Sequence, residues 1–262
     1  MAEFEYNNLD GLADAYERDG YVVVRNVLDA GFISELQNHI EWLREKHPEL
    51  RPEELGHWLI AEDPFWVRFV SDKRLLNIAE HIVGPDIAFF AADYICKPPG
   101  TGRSVTWHQD SHYWPLEPME VVTFWFAVSE SGPHNGGVKM IPESHKAGLL
   151  KHVDANSTNV LARQIDPDLL DESKAVDIVL NPGDVSLHHP HTLHGSEPNT
   201  SDIWRRGGSI QYMPPTTRIN QDPWPSTFLF RGAPVVGINE YLEKPRYIEG
   251  QHMPFAGCDK WR

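Results

Sequence analysis

Apolar positions in the first third of the chain recur mostly at helical spacing. Leu9–Arg18 carries enough of the pattern for a turn or two of amphipathic helix, which Asp19-Gly20 would end. Tyr21-Val22-Val23-Val24 follows as a β-branched run that predicts a buried strand. From Asp29, the residues Phe32, Ile33, Leu36, Ile40 and Leu43 share one helical face until Lys46-His47-Pro48 stops it. A further helical stretch is predicted from about Pro64 to Ile82, closed by Gly84-Pro85.

From Ile87 the pattern changes to short extended runs separated by turn residues. Ile87–Ile95 predicts a strand, and Lys97-Pro98-Pro99-Gly100-Thr101-Gly102 a loop. Val121–Val128, Gly137–Ile141 and Gly207–Met213 read as further strands. The polar, Asp- and Asn-rich stretch from His152 to Lys174 reads as a long surface loop with a helical turn. Val176–Leu180 and Val185–Leu187, joined by Asn181-Pro182-Gly183-Asp184, predict a hairpin. Six or more short strands after a helical third predict a mainly β, α+β fold: a jelly roll with helices packed outside. No linker, charge run or repeat divides the chain, so residues 1–262 are expected to form one domain.

Composition narrows the partners. The chain has 262 residues, with 23 basic against 38 acidic side chains and a net charge of −15. Binding nucleic acid needs a Lys/Arg face that such a chain lacks, and an anionic membrane surface is disfavoured for the same reason. This length can bury a core without metals or disulfides. Two cysteines, Cys96 and Cys258, suit reduced thiols. The acidic N-terminus has no apolar leader and no run approaches 18 apolar residues, so a cytoplasmic chain with a small-molecule substrate is expected.

Fourteen histidines make metal ligation the first chemical question. Iron(II) oxygenases hold their metal through two histidines and one carboxylate, which leaves positions open for cosubstrate and O2. A His-x-Asp pair on a strand supplies two such groups, because residues i and i+2 share a face. Chance alone gives roughly one such pair in a chain of this make-up, so context has to choose. His39-Ile40-Glu41 lies on a predicted helix, where i and i+2 diverge. His47-Pro48-Glu49 sits at a helix end, and His152-Val153-Asp154 enters the polar stretch. His108-Gln109-Asp110 follows a strand and a loop and is flanked by Trp107, Tyr113 and Trp114, which favours it. For the distal ligand, His188, His189, His191 and His194 are all candidates, and Arg205 and Arg206 follow closely. An arginine fork suits the carboxylate of a dicarboxylic cosubstrate.

The stretch Trp107-His108-Gln109-Asp110-Ser111-His112-Tyr113-Trp114-Pro115-Leu116 resembles the metal motif of the phytanoyl-CoA dioxygenase family. The resemblance continues in order through Lys97-Pro98-Pro99, Trp125, Asn135-Gly136, Ile141-Pro142-x-Ser144-His145-Lys146, Pro182-Gly183-Asp184 and His194-Gly195-Ser196-x-x-Asn199, covering roughly residues 10–215. Glu143 departs from it, standing where the family usually has glycine.

This resemblance implies a double-stranded β-helix of cupin-like type and oxidation dependent on Fe(II), 2-oxoglutarate and O2, with succinate and CO2 as co-products. It places the metal ligands at His108, Asp110 and His194. Arg205 would hold the distal carboxylate of 2-oxoglutarate, with Ser196 and Trp125 as further cosubstrate contacts. Related halogenases lack the carboxylate that Asp110 supplies, so hydroxylation of an unactivated C–H is the expected outcome. Desaturation, epimerisation, cyclisation and acyl-CoA hydroxylation are the alternatives within the class. Outside it stand a non-catalytic jelly-roll binding protein, which would need no ordered His, Asp and Arg set, and a zinc hydrolase, which would need no Arg205. Acidity favours a small polar substrate, met by Tyr113, Trp114 and Arg103. Loops around Thr101–Trp107 and Asp154–Lys174 are expected to close the mouth.

Overall fold

Helix α2 (Ala30–Lys46) begins where Asp29 accepts the Phe32 N–H, and it buries Phe32, Ile33, Leu36, Ile40 and Leu43 as its pattern requires. In this computed structural model, which describes residues 1–262, it is preceded by strand β1 (Glu3–Glu5), helix α1 (Leu12–Asp19) and strand β2 (Tyr21–Arg25). Helices α3 (Pro64–Val70) and α4 (Lys73–Val83) follow it. The single helix expected over this last stretch is thus two. Ser71 ends α3, and Asp72 accepts the Arg74 N–H as the cap of α4, the role short polar side chains prefer to a helix interior.

The remainder is β-structure, starting with β3 (Ile87–Tyr94), β4 (Val105–His108), β5 (Leu116–Glu117), β6 (Val122–Ala127) and β7 (Val138–Met140). Next come β8 (His152–Asp154), β9 (Arg163–Ile165), β10 (Val176–Asp177), β11 (Val185–His188) and β12 (His194–Ser196). The last three are β13 (Gly207–Met213), β14 (Arg218–Ile219) and β15 (Phe228–Arg231). A major sheet runs β1-β2-β11-β6-β13-β3-β15, and a minor one β10-β7-β12-β4. No helix is long and apolar enough to cross a membrane.

Alternation along the major sheet sends its side chains to two different environments. One face carries Val22, Val24, Phe124, Phe126, Leu187, Ile210 and Tyr212, buried in a 40-residue cluster with the helices. The other face carries His188, Thr123 and Gln211 in register across β11, β6 and β13, with Trp125, Ser209 and Asp93 in the next row across β6, β13 and β3. The helices therefore seal one side of the sheet and leave the polar rows to line a cavity.

Two further expectations need correction. Val176–Leu180 and Val185–Leu187 do not pair as a hairpin: β10 joins β7 in the minor sheet, and β11 joins β2 and β6 in the major one. The turn between them is a crossover, pinned by Gly183 at φ 93°, where a Cβ would stand 2.3 Å from the Leu28 carbonyl oxygen. The polar stretch from His152 to Lys174 is not all loop either. It holds the antiparallel pair β8–β9, whose three-residue strands are too short for alternation to reveal. Glu143, the residue that departs from the family pattern, has φ 62° and ψ 2°, the left-handed conformation that glycine adopts without strain.

Candidate functional site

His108 ends β4 and His194 begins β12, and the two residues pair directly across the minor sheet. Their ring centroids are 4.1 Å apart. Asp110 follows in a single 3-10 turn, so its carboxylate reaches the same point. The three side chains offer ligand atoms all within 4.8 Å of one another. Both Nε2 atoms lie 3.5 Å from Asp110 Oδ1.

Proton placement makes this cluster a fit for a cation. His108 Nδ1 lies 2.7 Å from the Thr106 carbonyl oxygen, and His194 Nδ1 lies 3.0 Å from that of Thr192. A carbonyl only accepts, so each Nδ1 carries the proton and each Nε2 presents a bare lone pair towards Asp110. Burial and the neighbouring His108 drive the His194 imidazole well below its usual value, which keeps it neutral. Burial opposes ionisation of Asp110, yet the surrounding histidines, with His188 Nε2 on its Oδ2, hold its carboxyl well below the usual carboxylate range. Two imidazoles that turn Nε2 inward and one carboxylate suit a divalent metal with open positions.

The second oxygen of Asp110 is held from the major sheet. Thr123 Oγ1 donates to Oδ2 at 2.7 Å and His188 Nε2 lies 3.2 Å from it. The carboxylate accepts from both, so Oδ1 is left turned to the two histidines. Gln109, between the two candidate ligands, points the other way. Its side chain donates to the Gly148 and His191 carbonyls and accepts from the Leu150 N–H, tying three loops together.

A cavity of about 390 Å³ opens from this cluster, and Arg205, Trp125, Ser196, Tyr113 and Trp114 line it. Arg205 is 1% exposed, lies 4.6 Å over the Trp125 ring, and donates to the Gly136 and Ile95 carbonyls. Burial lowers its guanidinium to about 10. Arg206 points outwards to Glu41 on α2. Ser196 Oγ accepts from Lys97 Nζ at 2.6 Å, and burial together with Arg205 pushes that buried amine down to about 6. Neither Arg205 nor Lys97 meets a carboxylate of the protein, so this end of the cavity lacks an anion. Trp125 Nε1 is a buried donor without a partner there.

At the mouth, Tyr113 Oη donates to the Arg163 carbonyl on β9 at 2.7 Å. Val160 and Leu161, from the β8–β9 connection, line the cavity. Trp114 packs edge-on against Phe90 at 5.7 Å. Arg103 is not among the lining side chains. Its guanidinium is taken up by Glu54, and its backbone N–H donates to Glu53. Nothing in the sequence marks Thr123 or Lys97 for these contacts, whereas His188, one of the four candidate histidines, takes the place of a donor behind a candidate ligand instead of a ligand's own. For Thr123 and His188 the signal is strand register, which appears only once the strands are paired. The reading of His152 as a loop residue is corrected: it lies on β8, buried, and its Nε2 accepts the Gln109 N–H.

Two sheets facing each other across a cavity of this kind define the double-stranded β-helix of cupin-like oxygenases. The sequence matches the family described as Phytanoyl-CoA dioxygenase (PhyH) over residues 16–207, and the chain belongs to that family. It is 30% identical over 159 residues to a Stutzerimonas stutzeri protein named "Probable alpha-ketoglutarate-dependent hypophosphite dioxygenase", covering 60% of this chain and 53% of the relative. Human peroxisomal phytanoyl-CoA dioxygenase is 26% identical over 224 residues, covering 75% of this chain and 66% of the human one. The chain thus spans roughly half to two thirds of the length of these curated relatives. The solved apo form of the non-heme monooxygenase ThoJ has the same fold. It superposes with a TM-score of 0.77 at 24% identity, over 89% of this chain and 88% of that one.

Proposed function

We propose that this protein is an Fe(II)/2-oxoglutarate-dependent oxygenase that hydroxylates an unactivated C–H of a small polar molecule. Iron is held by His108, Asp110 and His194. The observation that carries the reading is the pairing of this cluster with Arg205, a buried cation without an anion, in one cavity. A zinc hydrolase would have no use for that cation.

Iron with 2-oxoglutarate supplies O2 activation and the oxidising power that converts C–H to C–OH, with succinate and CO2 released. The protein's own part is positional. His108 and His194 present bare Nε2 atoms because carbonyls fix their tautomers. Thr123 and His188 hold Asp110 so that one oxygen faces the metal position. Arg205, with Trp125 Nε1 and Ser196 Oγ beside it, receives the distal carboxylate of the cosubstrate. Tyr113 anchors the β8–β9 hairpin over the mouth and limits water entry. Arg103 shapes this rim through Glu54 instead of touching substrate.

Asp110 occupies the place a halide would need, so the product should carry oxygen even in abundant chloride. Residues 1–262 form one domain around this cavity, and the two free thiols suit the cytoplasm. Purified protein supplied with iron, 2-oxoglutarate and O2 should release succinate slowly alone and faster with its substrate. No succinate under any of these conditions would defeat the proposal.

A further inference from the structure

The wall of the cavity away from Arg205 has the opposite electrostatic character, and it bears on what the substrate is. Gln211, on β13, lines the cavity and is 3% exposed, yet its Oε1 has no hydrogen-bond partner. An acceptor left so deep without a donor is costly, so a ligand that brings a donor is favoured there. Asp93, on β3, lines the same cavity. Gln211 pairs with Ala91 and Ser209 with Asp93, which makes Gln211 and Asp93 diagonal neighbours on the same face. Diagonal neighbours stand roughly 7–8 Å apart, so one small group can touch both.

No lysine or arginine serves this wall. Arg51 is spent on Glu53, and Arg103 on Glu54. Asp93 Oδ1 accepts the His57 backbone N–H at 3.0 Å and lies 3.5 Å from His57 Nδ1. The remaining surface is aromatic and already packed: Trp224 stacks on His57 at 5.0 Å and on Phe90 at 4.5 Å, and all three line the cavity. The edges of this stack suit the apolar part of a small ligand. An acyl-CoA, with its phosphates, finds no free arginine or lysine here.

We propose that the substrate is a small cation with an apolar part. Its protonated nitrogen is held between the Asp93 carboxylate and the Gln211 amide oxygen, and its apolar part lies against the edge of the Trp224 stack. The proposal rests on this cavity being the active site, a reading that succinate release without any probe tests separately.

The test is a ligand-observed NMR titration with a matched pair, 2-phenylethylamine and 3-phenylpropionate. It is run on the protein loaded anaerobically with iron and 2-oxoglutarate, and again without them. The amine should bind at least about tenfold tighter than the acid, equivalent to about 1.4 kcal/mol. Asp93→Asn, which keeps an acceptor for the His57 N–H, should reduce the preference to about threefold or less. Gln211→Leu should weaken the amine at least about fivefold and leave the acid unchanged. Equal or tighter binding of the acid, no measurable binding of the amine, or a preference that survives both substitutions would overturn the proposal. Thermal unfolding of each variant confirms that folded protein is being titrated.

Discussion

His188 Nε2 lies 3.2 Å from Asp110 Oδ2, on the opposite oxygen of the carboxylate from the one that faces His108 and His194. The major sheet thereby aims a group that belongs to the minor-sheet side of the site. Thr123, paired with His188 across β11 and β6, holds the same oxygen. Removing either contact leaves the three ligand types intact but frees the carboxylate to rotate. His188→Phe and Thr123→Val should each weaken metal binding by about 10–100-fold. Competition for Co(II) with a chromophoric chelator measures this, and unchanged affinity in both variants would contradict the assigned role.

Arg205 and Arg206 separate charge from geometry. Arg205→Lys keeps a cation but loses the planar fork, and should raise KM for 2-oxoglutarate at least about tenfold. Arg206→Lys changes the outward pair with Glu41 and the contact with the Trp204 ring, and should leave that KM within about twofold. The opposite ranking would show that the arginine register has been assigned wrongly.

How far the sequence reveals this site depends on how local each relationship is. His108 and Asp110 are two residues apart beside a strand, so their shared direction follows from spacing. His194 and Arg205 come from the ordered resemblance, because nothing local separates His194 from His188, His189 and His191. Thr123, His188, Gln211 and Asp93 meet only through the register of four strands, which alternation within one strand does not fix. Lys97 reads as a loop residue in Lys97-Pro98-Pro99, and no pattern announces that its amine is buried. The crossover at Asn181–Asp184 resembles a hairpin turn because turn chemistry is the same whether the chain returns to its own sheet or passes to another.

Glu143, at φ 62°, stores strain that a glycine would avoid. A non-glycine residue in the left-handed region costs roughly 1–2 kcal/mol. The Glu143–Lys146 pair is exposed and offsets little of this. Glu143→Gly should raise stability by about 1 kcal/mol in chemical denaturation, after part of the gain is lost to the greater freedom of glycine in the unfolded chain. Destabilisation by the substitution would show that this turn is held by its side chain.

Asp63 links stability to acid. Its Oδ2 lies 2.9 Å from His39 Nε2, and its Oδ1 accepts the Trp66 N–H as the cap of α3. Burial opposes the charge, but His39 and the Trp66 N–H outweigh it and hold the carboxyl below its usual value. A lowered folded value makes the contribution full above the unfolded pKa of about 3.9, and lost as pH falls through the folded value. Asp63→Asn should lower stability at neutral pH and flatten the loss of stability below about pH 4. An unchanged acid limb would contradict this.

The central claim is that His108, Asp110 and His194 hold iron in a cavity where Arg205 completes the cosubstrate site. Anaerobic titration of the metal-free protein with Fe(II) and 2-oxoglutarate, followed through the visible charge-transfer absorption of an iron(II)–2-oxo acid chelate, tests it most directly. The account predicts that the band saturates at one iron per chain, needs both components, and is absent in His194→Ala. A protein that binds no iron, or a band that persists unchanged in His194→Ala, would contradict it.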